Sequence, residues 1–166
     1  NHDLWMKDYL EEEIGIPVFF EKQYYEISGK NFLLAHGDGL GPGDKGYKRM
    51  KKLFTNPIAQ WFFKWLHPDI AMKIAVYFST KNKMISGVED MKFLGEDKEF
   101  LILYSKEKLK SEKIDYFVYG HRHLPMILDL KIDENAANYV NLGDWISYFT
   151  YGVFDGAEFK IEEYKQ

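Results

Sequence analysis

Cysteine is absent from the chain, which excludes disulfide frameworks, thiolate metal sites and cysteine nucleophiles and fits a reducing compartment, the cytoplasm first. An excess of positive charge is also missing. Lys and Arg number 22 against 26 Asp and Glu, for a formal net charge of -4, so the broad basic field of a nucleic-acid binder is not there and no nucleic-acid partner is expected. No run approaches the roughly 18 uninterrupted apolar residues of a membrane span. Lipid, if met at all, is met from the surface. What is present is a 166-residue chain that is 46% hydrophobic, enough for one globular domain with its own core, without repeats, low-complexity tracts or linkers.

Local patterns predict a mixed α/β unit. Three short β-rich runs, Ile16 to Phe20, Tyr24 to Ile27 and Phe32 to His36, are separated by turn residues, and the glycine-rich stretch from Gly37 to Gly43 breaks the pattern, with Asp44 as a helix cap. From Lys45 to about Lys83 apolar residues recur at helical spacing, with breaks expected at Asn56-Pro57 and His67-Pro68. A further helix is predicted over Lys98 to Lys110. The segment IDYFVYGHRH then reads as a buried strand running into a turn, and PMILDLKI, NYVNLGDW and YGVFDGAEFKIEEY as strands.

Histidine carries the chemistry. Four of the five histidines fall in three short clusters, Asn1-His2-Asp3, His36-Gly37-Asp38 and Gly120-His121-Arg122-His123. His36 and His121 each follow an apolar strand and precede a turn, where α/β sheets present functional groups to a crevice. Histidines at i and i+2 face one side of an extended backbone and so reach one metal or two adjacent ones. Gly120 lets backbone approach closely. His67, at a helix end, is read as structural.

In this order the clusters NHD, AHGD and GHRH resemble the calcineurin-like metallophosphoesterase superfamily, whose signature runs through G-N-H-[DE], an H-G-D turn and G-H-x-H. The resemblance implies a four-layer α-β-β-α sandwich, here partial, with a helical lid insertion at about 44–83. It also implies that residues 1–166 are the C-terminal portion of a single such domain, beginning inside the G-N-H-D motif, with the first two family motifs upstream. Carried over residue by residue, Asn1, His36 and His121 would ligate one metal and His123 the other. His2, oriented by Asp3, would act as the catalytic group that stabilises developing charge or assists the leaving oxygen. Two divalent ions are implied, manganese first, with iron or zinc as alternatives. Such a pair activates water and clamps a phosphoryl group during in-line attack.

The stretch HGDGLGPGDKGYKRMKKLFTNPIAQWFFKWL further resembles the UDP-2,3-diacylglucosamine hydrolases of lipid A biosynthesis, as does NLGDW near the end. That resemblance implies hydrolysis of the diphosphate of UDP-2,3-diacylglucosamine to UMP and 2,3-diacylglucosamine 1-phosphate. It implies substrate contacts from Asp44, Tyr47, Ser79, Thr80, Lys81 and Lys83. Arg122 stands where many relatives carry threonine, and either reaches a phosphate or pairs with a surface carboxylate; several relatives carry arginine at the position of His2.

Phe54, Trp61, Phe62, Phe63 and Trp65, beside Lys48, Arg49, Lys51, Lys52 and Lys64, suit both an acyl-chain groove and an anionic membrane surface. An ordinary core stripe is the competing reading. The expected location is peripheral, on the cytoplasmic face of the bacterial inner membrane. Two other functions stay open at this point: a metallophosphoesterase for another phosphoester or nucleotide, and a non-catalytic metal-binding or membrane-binding fragment.

Overall fold

The computed structural model describes residues 7–42, 45–86 and 92–165. The chain divides into two compact units, one drawn from residues 1–18 and 43–89 and the other from 19–42 and 90–166.

The first unit is helical among its described residues: α1 (Lys7–Glu12), α2 (Lys45–Phe54), α3 (Pro57–Lys64) and α4 (Pro68–Ser86). Both predicted breaks are present, for the reasons the sequence offers. Asn56 caps α3, its Oδ1 accepting from the backbone N–H of Ile58 and Ala59 at 2.9 and 3.1 Å. Pro57 and Pro68 each occupy a first helical position, where no N–H donor is needed. Helix α3 buries none of its residues. Trp61 lies 5.7 Å from Trp65 and 5.0 Å from Phe62 between ring centroids, and Phe54 meets Phe78 edge to face at 6.0 Å.

In the second unit a five-stranded mixed sheet has the order β1-β2-β3-β5-β4, built from β1 (Gln23–Ile27), β2 (Lys30–Ala35), β3 (Tyr116–Tyr119), β4 (Met126–Ile132) and β5 (Asn135–Asn141). β1 and β2 form an antiparallel hairpin through Ser28 and Gly29, both at positive φ, which matches the strand twist. β2, β3 and β5 run parallel, and β4 returns antiparallel to β5. β3 is buried along its whole length, as a central parallel strand covered on both faces should be.

One face of the sheet is covered by α5 (Phe100–Leu109), with Leu101, Ile102 and Leu109 packed against Leu33, Phe117 and Tyr139. The second core holds Phe32, Tyr116, Val118 and Val140, against which Phe154 and Phe159 of the β6 (Thr150–Phe154) and β7 (Phe159–Glu163) hairpin pack. Phe32 stacks on Tyr116 at 4.8 Å. The described residues of this unit thus form a helix, a sheet and a hairpin in three layers.

Two expectations are corrected. Residues Ile16 to Phe20 are not a strand: Pro17 lacks the N–H that a ladder requires, and Ile16 and Phe19 are exposed. The helix predicted from Lys98 starts at Phe100, because Glu99 takes an extended backbone as its N-cap residue, while its side chain accepts from the Leu94 N–H and from Arg122.

Candidate functional site

Parallel pairing brings the loops that follow β2, β3 and β5 to one end of the sheet. Ala35 is in register with Tyr119, and Tyr119 with Asn141, so His36, Gly120 and Leu142 leave the sheet side by side. The backbone stitches them together. Gly120 N–H donates to the His36 carbonyl at 3.1 Å and Leu142 N–H to the Tyr119 carbonyl at 2.9 Å. Asn141, fully buried, donates its side-chain amide to the Gly120 carbonyl at 2.8 Å and accepts from Gly143 N–H.

The His36 and His121 rings stand 5.3 Å apart, centroid to centroid, and 74° from coplanar. The near approach depends on two glycines. A Cβ on Gly120 would lie 3.3 Å from His36 Nδ1. One on Gly37, whose φ is +112°, would lie 2.9 Å from Leu101 and 3.3 Å from the His121 Cβ. On its other side His121 meets Phe100 at 5.8 Å, edge to face.

The turn expected after β3 carries His121 and His123, and its backbone does not stay extended. His121 takes a positive φ of 61°, sparsely populated for a non-glycine residue, and Arg122 N–H turns back to the Gly120 carbonyl at 2.7 Å. His123, half-exposed, is met from the next loop by Asp144, with Nδ1 and Oδ2 3.6 Å apart. Asp144 Oδ1 accepts from the N–H groups of Ile146, Ser147 and Tyr148. Burial pushes the Asp144 carboxyl up, yet those donors, with His123, outweigh it and hold the group below its ordinary range. Beside His36 and Gly120 the surface forms a depression of 320 Å³ lined also by Phe19, Tyr25, Leu34 and Leu142.

No family model matches the chain. A protein of Porphyromonas gingivalis named UDP-2,3-diacylglucosamine hydrolase is 35% identical over 176 residues, an alignment that takes in 98% of this chain and 65% of that protein. Proteins of the same name from Yersinia pestis and Yersinia pseudotuberculosis are 25% identical over 145 residues, taking in 87% of this chain and 59% of theirs. The chain is homologous to the UDP-2,3-diacylglucosamine hydrolases. It spans about two thirds or less of the length of the hydrolases it matches.

Of the residues expected to act in such a hydrolase, Asn1, His2, Asp3 and Asp44 lie outside the described residues. His36 and His121 are brought together. Among the described residues no three His, Asp or Glu side chains converge as a ready metal site. Tyr47 is half-buried on α2, and Ser79, Thr80, Lys81 and Lys83 lie on α4, all within the helical unit. The Thr80 hydroxyl donates to the carbonyls of Val76 and Tyr77 in its own helix.

Of the two readings of Arg122, pairing with a carboxylate is met, but in the interior and not at the surface. Its side chain is 6% exposed and pairs at 3.0 Å with Glu99, which is 3% exposed, so the partner is an interior carboxylate and the guanidinium does not project to a phosphate in solvent. The same nitrogen donates to the Lys92 carbonyl. Sequence reasoning missed Glu99 and Phe100 as parts of this end of the sheet, and gave Asn141 and Asp144 no role although both lie in the NLGDW stretch it singled out.

Proposed function

We propose that this chain is the larger, C-terminal part of a metal-dependent hydrolase that cleaves the diphosphate of UDP-2,3-diacylglucosamine in lipid A biosynthesis. The observation that carries the reading is the pairing of His36 with His121 at the ends of two parallel strands, in a chain homologous over 98% of its length to a protein of that name. The four-layer sandwich, with residues at about 44–83 as its helical lid insertion, is the architecture that goes with this reading.

The donor set fits a divalent ion of intermediate softness. Two imidazoles stand within ring contact, with Gly120 leaving the space against the His36 ring free; imidazole suits iron or zinc better than calcium, and manganese is favoured from the family resemblance. In our reading His36, His121 and Asn1 hold one ion and His123 a second, with Asp144 orienting His123 as carboxylates orient ligating histidines. Two such ions, when bound, supply activated water and electrostatic stabilisation of the phosphoryl oxygens. The oxygen of water bonds to the α-phosphorus, the bond from that phosphorus to the bridging oxygen breaks, and the sugar 1-phosphate departs with it while UMP remains. His2, with Asp3, assists the leaving oxygen.

Substrate contacts are assigned to Asp44, Tyr47, Ser79, Thr80, Lys81 and Lys83. The exposed aromatics at α3 and its C-cap, Trp61, Phe62 and Trp65, are 55%, 63% and 75% accessible, in a stretch of chain that also carries Lys48, Arg49, Lys52 and Lys64. That composition supports contact with acyl chains and an anionic membrane surface, hence a peripheral location on the cytoplasmic face of the inner membrane. No helix among the described residues is long and apolar enough to cross a membrane.

The test is release of UMP from UDP-2,3-diacylglucosamine by the full-length protein with Mn²⁺, in detergent micelles. The reading expects turnover that His36→Ala or His121→Ala lowers by at least ~10³-fold. Cleavage of soluble phosphodiesters without cleavage of the glycolipid would overturn it.

A further inference from the structure

The buried pair of Arg122 and Glu99 has no part in the chemistry proposed above, yet it sits at the root of the loop that carries two of the histidines. Glu99 immediately precedes α5 and Phe100 opens it. These two consecutive residues grip two consecutive residues of the turn: Glu99 pairs with Arg122 at 3.0 Å and Phe100 lies edge to face on His121 at 5.8 Å. The loop after β2 rests on the same ground, since a Cβ on Gly41 would lie 2.5 Å from the Phe100 carbonyl oxygen and one on Gly37 2.9 Å from Leu101. The first residues of α5 therefore form a platform beneath both histidine loops.

We infer that the Arg122–Glu99 pair is a positioning device that clamps the 120–123 turn to the start of α5 and so holds the His121 imidazole opposite His36. A non-glycine backbone in the left-handed region, as at His121, persists only where its surroundings over-determine it. The pair supplies that constraint through a buried, charge-assisted hydrogen bond, and the same guanidinium nitrogen is also tied to the Lys92 carbonyl. Arg122 is thus a positioning residue, not a phosphate ligand. The inference rests on the proposed metal chemistry only for its functional meaning; the placement of His121 is testable without metal.

The experiment uses the full-length protein and three variants, Arg122→Lys, Glu99→Gln and the double apolar replacement Glu99→Leu with Arg122→Met. Two readouts are taken on each: the imidazole proton shifts of His36 and His121 by NMR in metal-free protein, and the affinity for Mn²⁺ alone by EPR titration. In all three, His121 is expected to lose the ring-current shift imposed by Phe100 and His36. Mn²⁺ affinity is expected to fall about 10-fold, in the range typical of residues that orient metal ligands. The double variant separates positioning from stability, because well-packed apolar replacement of a buried pair often keeps or raises stability. Should it not fold, Arg122→Lys, confirmed folded by near-UV circular dichroism, decides alone. Native imidazole shifts in a folded variant overturn the inference, as does unchanged Mn²⁺ affinity where the wild type binds. A wild type that fails to bind Mn²⁺ overturns the proposed metal chemistry instead, and the imidazole shifts still judge the clamp.

Discussion

Asp144 Oδ2 faces His123 Nδ1 across 3.6 Å, while the other oxygen of the same carboxylate accepts three backbone N–H groups. One side chain thus fixes the turn after β5 and orients a histidine from the loop after β3. The two roles separate by mutation. Asp144→Asn keeps an acceptor for the turn but loses the charge facing His123, so thermal stability should change little while Mn²⁺ affinity falls about 10-fold. Asp144→Ala also loses the turn contacts and should cost an additional ~1–2 kcal/mol in a denaturant melt. Equal stability loss in both variants would show that the carboxylate matters only to the turn.

The two glycines beneath the histidine rings should answer alanine differently. At Gly37 the positive φ and the 2.9 Å approach to Leu101 act together on a buried site, and Gly37→Ala should destabilise by ~2–3 kcal/mol. At Gly120 the conformation is ordinary, and the added methyl meets only the His36 ring at 3.3 Å. Gly120→Ala should therefore leave the melting temperature nearly intact and displace the His36 imidazole, read as a shift of its NMR resonances.

Much of this was readable from local pattern. The breaks at Asn56-Pro57 and His67-Pro68 follow from caps and from proline's missing donor, which are properties of adjacent residues. The strands around Phe32 and Phe117 follow from continuous apolar runs. Ile16 to Phe20 misled because its apolar content satisfies a strand template while Pro17 denies it a ladder. Arg122 misled for the opposite reason: a charged residue between two histidines looks solvent-facing, and its partner Glu99 lies 23 positions away, so no local rule connects them. The meeting of His36 with His121 depends on parallel pairing of β2 and β3, a long-range fact that the motif order pointed to and periodicity did not.

Two buried tyrosines should make the fold sensitive to alkali. Burial pushes the Tyr139 hydroxyl up to about 12, against a smaller opposing hydrogen bond with Asn141. Tyr119 is raised further, again by burial, with Ser105 opposing. The folded state therefore holds protons that the unfolded chain releases near pH 10. Stability from these groups is fully present below pH 10 and is lost as pH rises toward 12. Absorbance titration at 295 nm should show two tyrosines that ionise only with unfolding; ionisation of all twelve tyrosines near pH 10 in folded protein would refute this.

The aromatic face of α3 offers a membrane test uncoupled from folding. Because α3 buries none of its residues, Trp61→Ser with Trp65→Ser should alter stability by less than ~0.5 kcal/mol. Binding to phosphatidylglycerol vesicles should drop by at least ~10-fold, and wild-type binding should weaken with salt because the same stretch of sequence is rich in Lys and Arg. Unaltered vesicle binding by the double variant would assign these rings elsewhere.

The central claim is that His36 and His121 bind a divalent ion jointly, and manganese anomalous diffraction from crystals of the full-length protein tests it most directly. The account requires an anomalous peak within bonding distance of an imidazole nitrogen of both residues, lost in His121→Ala. A fully occupied manganese peak elsewhere, with both imidazoles unengaged, would contradict it.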